Sequence, residues 1–178
     1  MNKINSKTVT ISTGEELKEA LENNNGYEYI YLENDITLKS GIVVNPNKKK
    51  ITINGTYQNT LHTLTGMISS EATDTIVTTA LTKEVCVKNI KIINTNVYGV
   101  ICVPEDDSYE EIVTIYDNIK FNGTQLSFNP YGTVKINDSN ITIENTNEIE
   151  SQEVCEAERI IIGGKTNILS SSINPPLF

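Results

Sequence analysis

The sequence contains no tryptophan, one histidine and one arginine, and only 6% of its 178 residues are aromatic. Its apolar residues are largely Ile, Val and Leu, accompanied by many Thr and Asn. This composition favours strands and turns over helices. With 38% hydrophobic and 21% charged residues, the chain is typical of a folded soluble protein rather than a disordered one. We interpret residues 1–178 as a single domain.

Positive charge is also scarce. There are 14 Lys and Arg against 23 Asp and Glu, which gives a net charge of −9. A protein that binds nucleic acid normally presents a basic face, so we expect no nucleic-acid partner. No apolar run approaches the ~18 residues that a membrane span needs, and we expect no membrane insertion.

Cysteines are few and their spacing fits no defined framework. Cys86, Cys102 and Cys155 are odd in number and form neither a CxxC metal site nor a dense disulfide pattern. We therefore expect free thiols. No signal peptide is visible, because Met1-Asn2-Lys3 leads directly into polar sequence.

One pattern recurs along the chain: a short alternating strand, a turn at Asn, and a second short alternating strand. The copies are residues 85–93, 113–121 and 134–143. Their turn residues, Asn89, Asn118 and Asn140, are 29 and 22 residues apart, which is a spacing typical of solenoids. Asn tolerates the left-handed backbone region, and stacked copies could join their amides into a ladder. An antiparallel sandwich would also alternate, but it gives no reason for the unit to recur.

Alternation assigns each residue of a strand to one of two faces. In the second copy it predicts that Val113 and Ile115 point inward, that Thr114 points outward, and that Lys120 points outward after the turn. Applied to all copies, it predicts a flat polar lateral face that binds a ligand. The members of that face are Thr52, Lys91, Thr114, Lys120, Lys135 and Thr142.

Residues 13–25 read as a short helix that caps the stack. Thr13 is the N-cap and Glu16 completes a capping box, while Leu17 begins an apolar face. Such a helix would cover the core and strand edges that an open coil exposes. At the other end, the prolines within the tail 170–178 predict that it leaves the stack.

The runs Gly14–Leu21, Ile30–Leu38 and Ile51–Gly55 resemble the start of pectate-lyase-like β-helix domains. They are most similar to the adhesive-domain branch found in surface proteins of Gram-positive bacteria. The resemblance implies an all-β, right-handed parallel β-helix with an N-terminal capping helix. It also implies secretion or cell-surface attachment, with the export signal outside this sequence.

Enzymatic relatives of that fold cleave acidic polysaccharides. The lyases use an Arg or Lys base beside Ca²⁺, yet Arg159 is the only arginine here and no Arg-x-Pro-x-x-Arg run exists. The hydrolases use clustered Asp with a Gly-His-Gly segment, whereas His62 lies between Leu61 and Thr63. We predict no catalytic residues and no required cofactor.

The acidic loop after the first copy offers hard oxygen ligands of the kind that Ca²⁺ prefers. Its candidate ligands are Asp106, Asp107, Glu110 and Glu111. Their spacing matches no EF-hand loop, and a solvated turn is the preferred explanation, with Ca²⁺ binding as the alternative.

The sequence therefore predicts a non-catalytic β-helix module for adhesion, with a glycan or a host matrix protein as its partner. Two alternatives stay open. One is a polysaccharide lyase or hydrolase of the same fold, and the other is a structural fragment of a stalk or phage fibre.

Overall fold

The chain forms a stack of coils built almost entirely from short parallel strands. The computed structural model describes residues 7–66, 76–94, 96, 98–109, 111–144 and 153–170. The elements are β1 (Thr8–Ile11), α1 (Gly14–Glu22), β2 (Tyr29–Leu32), β3 (Ile36–Thr37), β4 (Ile42–Val43), β5 (Lys50–Asn54), β6 (Thr56–Tyr57), β7 (Thr60–Leu61), β8 (Thr63–Thr65), β9 (Ile76–Val77), β10 (Glu84–Asn94), β11 (Ile101–Cys102), a 3₁₀ turn (Asp107–Tyr109), β12 (Val113–Gly123), β13 (Ser127–Asn137), β14 (Asn140–Ile143), β15 (Cys155–Gly163) and β16 (Asn167–Ser170).

The strands form three faces of one curled sheet. Face A contains β1, β2, β5 and residues 84–88, 113–117, 133–137 and 159–163. Face B contains β3, β8, residues 90–94 and 119–123, β14 and β16. Face C contains β4, β9, β11 and residues 127–129 and 155–157.

Every ladder between the strands of successive coils is parallel, as the sequence predicted, and between coils only the isolated bridge Gly99–Ser127 is antiparallel among the described residues. Crossovers between parallel strands are almost always right-handed, and the fold is a right-handed parallel β-helix. The antiparallel sandwich is thereby excluded.

Mostly aliphatic side chains, with Tyr116 and Phe121 among them, fill the interior in vertical columns, one column for each inward position. On face A the column is Ile30, Ile53, Val87, Tyr116 and Ile136. On face B it is Ile36, Leu64, Ile92, Phe121 and Ile141. All of these side chains are buried. Since each turn of chain adds one residue to each column, the fold's main stabilisation is the removal of these columns from water.

The predicted capping helix is present, with its bounds at Gly14–Glu22 rather than 13–25. The N-cap Thr13 accepts a hydrogen bond from the Glu16 N–H at 3.1 Å, and the Glu16 carboxylate accepts one from the Ser12 N–H at 2.6 Å. These bonds satisfy backbone donors that a helix start leaves unpaired.

The helix covers the first coil in two ways. Its buried residues Leu17, Ala20 and Leu21 join the common core. Its last turn supplies acceptors to the chain at and after β4, because Asn45 N–H donates to the Leu21 carbonyl at 2.9 Å and Val43 N–H donates to Glu22 Oε1 at 3.1 Å. The helix therefore protects both the core and the edge of face C.

An antiparallel hairpin, which the sequence did not predict, interrupts the second coil. It consists of β6 and β7 and lies between β5 on face A and β8 on face B. Its turn residues Gln58 and Asn59 have φ values of 47° and 65°, which is the geometry of a two-residue type I′ turn.

One predicted boundary needs correction. The left-handed corner of the third copy is Asp138, with φ 48°, whereas Asn140 begins β14. In the acidic segment 144–158, which follows the third copy, the residues from Cys155 onward belong to β15. Of the tail 170–178, only Ser170 lies within the described residues, as the end of β16.

Candidate functional site

The predicted binding residues do not share one face. Thr52 and Lys135 lie in the same outward column of face A. Lys91, Lys120 and Thr142 lie on face B, beyond the corner at which the chain turns between the two faces. The odd or even position of a residue in a strand determines whether its side chain points inward or outward. It does not determine which of the three faces the strand belongs to.

Thr114 was predicted to point outward, and that assignment is wrong. Thr114 is fully buried, and its hydroxyl oxygen lies 3.4 Å from that of Ser127. Tyr116 is also fully buried and donates its hydroxyl to the Leu126 carbonyl at 3.2 Å. Burial raises the pKa of Tyr116 well above its ordinary value, so the phenol stays protonated. Val113 and Ile115 take the outward positions instead.

Face B carries an exposed polar column at one outward position of its strands. Lys91 and Lys120 occupy neighbouring strands and are partners in the register, followed by Asn140 and Asn167. The Asn167 amide donates to Asn140 Oδ1 at 3.1 Å. Within the described part of the chain, neither lysine has an acidic partner. Two lysines without such a carboxylate partner thus project from neighbouring strands whose backbones are ~4.8 Å apart.

The corner between faces A and B carries the predicted amide ladder over three coils. The Asn118 amide donates to Asn89 Oδ1 at 2.9 Å, and the Asn89 amide donates to Asn54 Oδ1 at 3.4 Å. Asn89 and Asn118 have φ values of 48° and 51°. The ladder does not continue to Asn140, because Asp138 occupies the corresponding corner.

The acidic loop provides no assembled cation site in the part that the structure describes. Asp106 Oδ1 accepts the Ser108 N–H at 2.8 Å, which closes a local turn. Glu111 pairs with Lys83 at 2.9 Å, and this contact lowers the pKa of the Glu111 carboxyl. Glu110 lies outside the described residues, as does the side chain of Asp107. No group of three or more candidate metal ligands occurs among the described residues.

The residues considered for catalysis are not brought together. His62 follows the hairpin in the second coil, and its Nδ1 lies 3.7 Å from Asp35 Oδ1. Arg159 is exposed at the start of the face A segment in the last described coil. They belong to coils separated by β10, β12 and β13, so they cannot act on one bond.

The cysteines are free thiols, as the sequence predicted. Burial raises the pKa of the Cys155 thiol to about 12, and burial also raises the pKa of Cys86. Protonated thiols are poor nucleophiles, so the sulfur chemistry of these two residues adds nothing to the site.

Comparison with known proteins agrees with this architecture. Residues 8–159 match the family described as "Putative pectate lyase-like adhesive domain". This match covers most of the 178 residues, and the chain belongs to that family. Searches of curated proteins and of solved structures gave no match.

The family indicates an adhesion-type module with an extracellular or surface role. The helix in the described residues is too short to cross a membrane.

Proposed function

We propose that the chain is a non-catalytic adhesion module of a secreted or cell-surface protein, and that it binds a glycan through face B. Membership of an adhesive-domain family supports the adhesive role. The coil stack supports it physically, because each coil adds another copy of the same outward position along a straight column. A repeating column suits a repeating ligand.

The observation that carries the proposal is the unpaired lysine pair on face B. Like charges on neighbouring strands repel each other, and here no carboxylate of the described residues relieves the repulsion. Elsewhere in the same acidic chain, Lys7, Lys18 and Lys83 each have a glutamate partner within 3 Å. A carboxylate or sulfate of a glycan between Lys91 and Lys120 would supply the missing countercharge.

Neighbouring polar residues would extend this contact. Asn140 and Asn167 continue the lysine column, and Thr142 lies in the adjacent column of the same face. Thr52 and Lys135, on face A, would contact only a ligand that wraps around the corner. Thr114 has no part in the site because it is buried.

An array of glycans and matrix proteins, probed with the wild type and two double variants, tests the proposal. Lys91→Glu/Lys120→Glu reverses the charge of the column and should lose binding to acidic glycans. Lys49→Glu/Lys50→Glu makes the same change in net charge at a distant corner, next to face A, and should retain binding. Equal losses in both variants, or binding only to matrix proteins, would contradict the proposed site.

The non-catalytic part has a separate test. Incubation with polygalacturonate, with and without added Ca²⁺, should release no unsaturated product. Release that depends on Ca²⁺ would instead support a lyase.

A further inference from the structure

The hairpin of the second coil forms one side of a pocket at the corner between faces A and B. The pocket has a volume of about 300 Å³ and is lined by Glu33, Asn34, Tyr57, Gln58, Thr60 and His62. This volume lies at the lower end of the range for small-molecule sites, ~300–1,000 Å³. It is suited to a single ring rather than to a long chain.

The pocket wall is fixed to the coil stack. Thr56 N–H donates to Asn54 Oδ1 at 3.0 Å, its hydroxyl donates to the Asn89 carbonyl at 3.1 Å, and His62 N–H donates to the Gly55 carbonyl at 2.8 Å. Gly55 packs so closely that an added Cβ would lie 2.4 Å from Ile90 Cγ1. A wall held at both ends is pre-organised, which lowers the entropic cost of binding.

The side chains around the pocket combine hydrogen-bond donors and acceptors that the protein itself does not use. Asn34, Tyr57, Gln58 and Thr60 make no side-chain hydrogen bond within the described residues. One carboxylate oxygen of Glu33 accepts the Ser12 hydroxyl, which leaves the other as an acceptor. A ligand rich in hydroxyls, each both donor and acceptor, complements amides, hydroxyls and a carboxylate together.

The local charge selects against anions. The pocket contains Glu33, and the adjacent Asp35 lies 3.7 Å from His62 Nδ1. Among the residues that the structure describes, no lysine or arginine lines it. This net negative charge would repel a uronic acid or a sulfated sugar, but it would not repel a neutral sugar.

The pocket lies next to the lysine column of face B. Lys91 N–H donates to the His62 carbonyl at 3.1 Å, and β8, which follows His62, pairs with β10 at Lys91. A chain bound along Lys91 and Lys120 could therefore place one unit in the pocket.

We propose that the hairpin pocket binds a neutral hexopyranose unit of the glycan that face B holds. The assignment rests on the proposed adhesive function, and it specifies the substrate class of one subsite. Tyr57 supplies an aromatic surface for the C–H groups of the sugar, and the amides and Glu33 bind its hydroxyls.

The test uses methyl glucoside, methyl mannoside and methyl galactoside as neutral probes, and galacturonic acid as the acidic control. Saturation-transfer NMR and titration calorimetry should detect at least one neutral probe and no galacturonic acid. Tyr57→Ala should weaken that binding by about tenfold or more. Tyr29→Ala removes an exposed tyrosine from face A and should leave the affinity for the neutral probe unchanged.

Thr60→Val preserves shape and removes one hydroxyl, so it keeps the test valid if Tyr57→Ala fails to fold. We expect it to weaken binding to the same probe. Binding that neither variant affects, no binding of any neutral probe, or tighter binding of galacturonic acid would overturn the pocket assignment.

The two proposals fail separately. If Lys91→Glu/Lys120→Glu abolishes binding to acidic glycans while no neutral probe binds, the pocket assignment is overturned and the face B site stands. If Tyr57→Ala loses the neutral probe while the lysine variant still binds the full glycan, the pocket stands and the lysine column does not.

Discussion

Asn118 determines how the chain turns between faces A and B. It adopts a left-handed conformation, φ 51°, and its amide donates to Asn89 one coil away. A side chain with a branched Cβ is strained in this region, whereas Gly is not. The choice of Asn therefore combines backbone tolerance with a bond between coils.

We expect Asn118→Val to destabilise the protein by roughly 1–3 kcal/mol, the cost of a side chain held in the left-handed region. Asn118→Gly should cost less, about 0.5–1.5 kcal/mol, because it loses only the hydrogen bond. Urea unfolding of both variants measures the difference. A valine variant as stable as the glycine variant would show that the corner does not need the left-handed conformation.

The segment Val113–Tyr116 shows the limit of reading faces from alternation. Alternation allows two assignments of the inward side chains: either Val113 and Ile115, or Thr114 and Tyr116. Each assignment places at least one large side chain in the core. The structure selects the second, because Tyr116 aligns with Val87 and Ile136 in the inward column. The sequence could not decide this, since pairing with other coils sets the parity.

A pair of substitutions tests the corrected parity. Thr114→Glu would bury an unpaired charge and should destabilise by several kcal/mol or prevent folding. Ile115→Glu lies outward beside Lys135 and should change stability by less than about 1 kcal/mol. Thermal unfolding distinguishes them, and the reverse order would restore the assignment made from the sequence.

At the scale of elements, α1 was predicted correctly because its signals are local. Thr13, Glu16 and the apolar spacing from Leu17 lie within nine residues. The hairpin β6/β7 was missed because two-residue strands carry no periodicity, and Gln58-Asn59 is a weaker turn signal than Asn-Gly. Short elements depend on their surroundings, here on contacts with Asn54 and Asn89.

Glu22 connects the helix to the edge of face C and makes this contact dependent on pH. Partial burial alone would raise its pKa. The hydrogen bonds from Lys18 at 2.6 Å and from the Val43 N–H at 3.1 Å outweigh that effect, so the pKa is lowered from 4.5. Because the pKa of Glu22 is lower in the folded state than in the unfolded state, its charge stabilises the fold at pH values above the unfolded-state pKa. This stabilisation is lost as the pH falls through the folded-state pKa.

We therefore expect Glu22→Gln to lower the Tm at neutral pH, and the difference from wild type to shrink as the pH falls below 4.5. Glu19→Gln, on the same helix, is the control, because its side chain has no partner among the described residues. Thermal unfolding monitored by circular dichroism over this range provides the measurement. A constant difference at all pH values would show that the charge of Glu22 is irrelevant.

At the scale of the whole molecule, the recurring strand–Asn–strand unit was sufficient to predict stacked parallel coils. It was not sufficient to place the binding residues, because three faces meet at corners whose positions depend on the complete coil. Lys91 and Lys120 came together because their copies are in register, whereas Thr52 belongs to another face. The candidate pocket also escaped prediction, since Glu33 and Tyr57 meet only through the stacking of coils.

The register of the stacked coils is the claim on which both proposed sites depend, and methyl–aromatic NOEs measure it directly. The ring of Phe121 should give cross-peaks to the methyl groups of Ile92 and Ile141, its partners in the coils on either side. Ile92 and Ile141 should show none to each other, because two strand spacings, ~9.6 Å, separate them. A Phe121 ring that contacts neither isoleucine would contradict the stack and the face B site built on it.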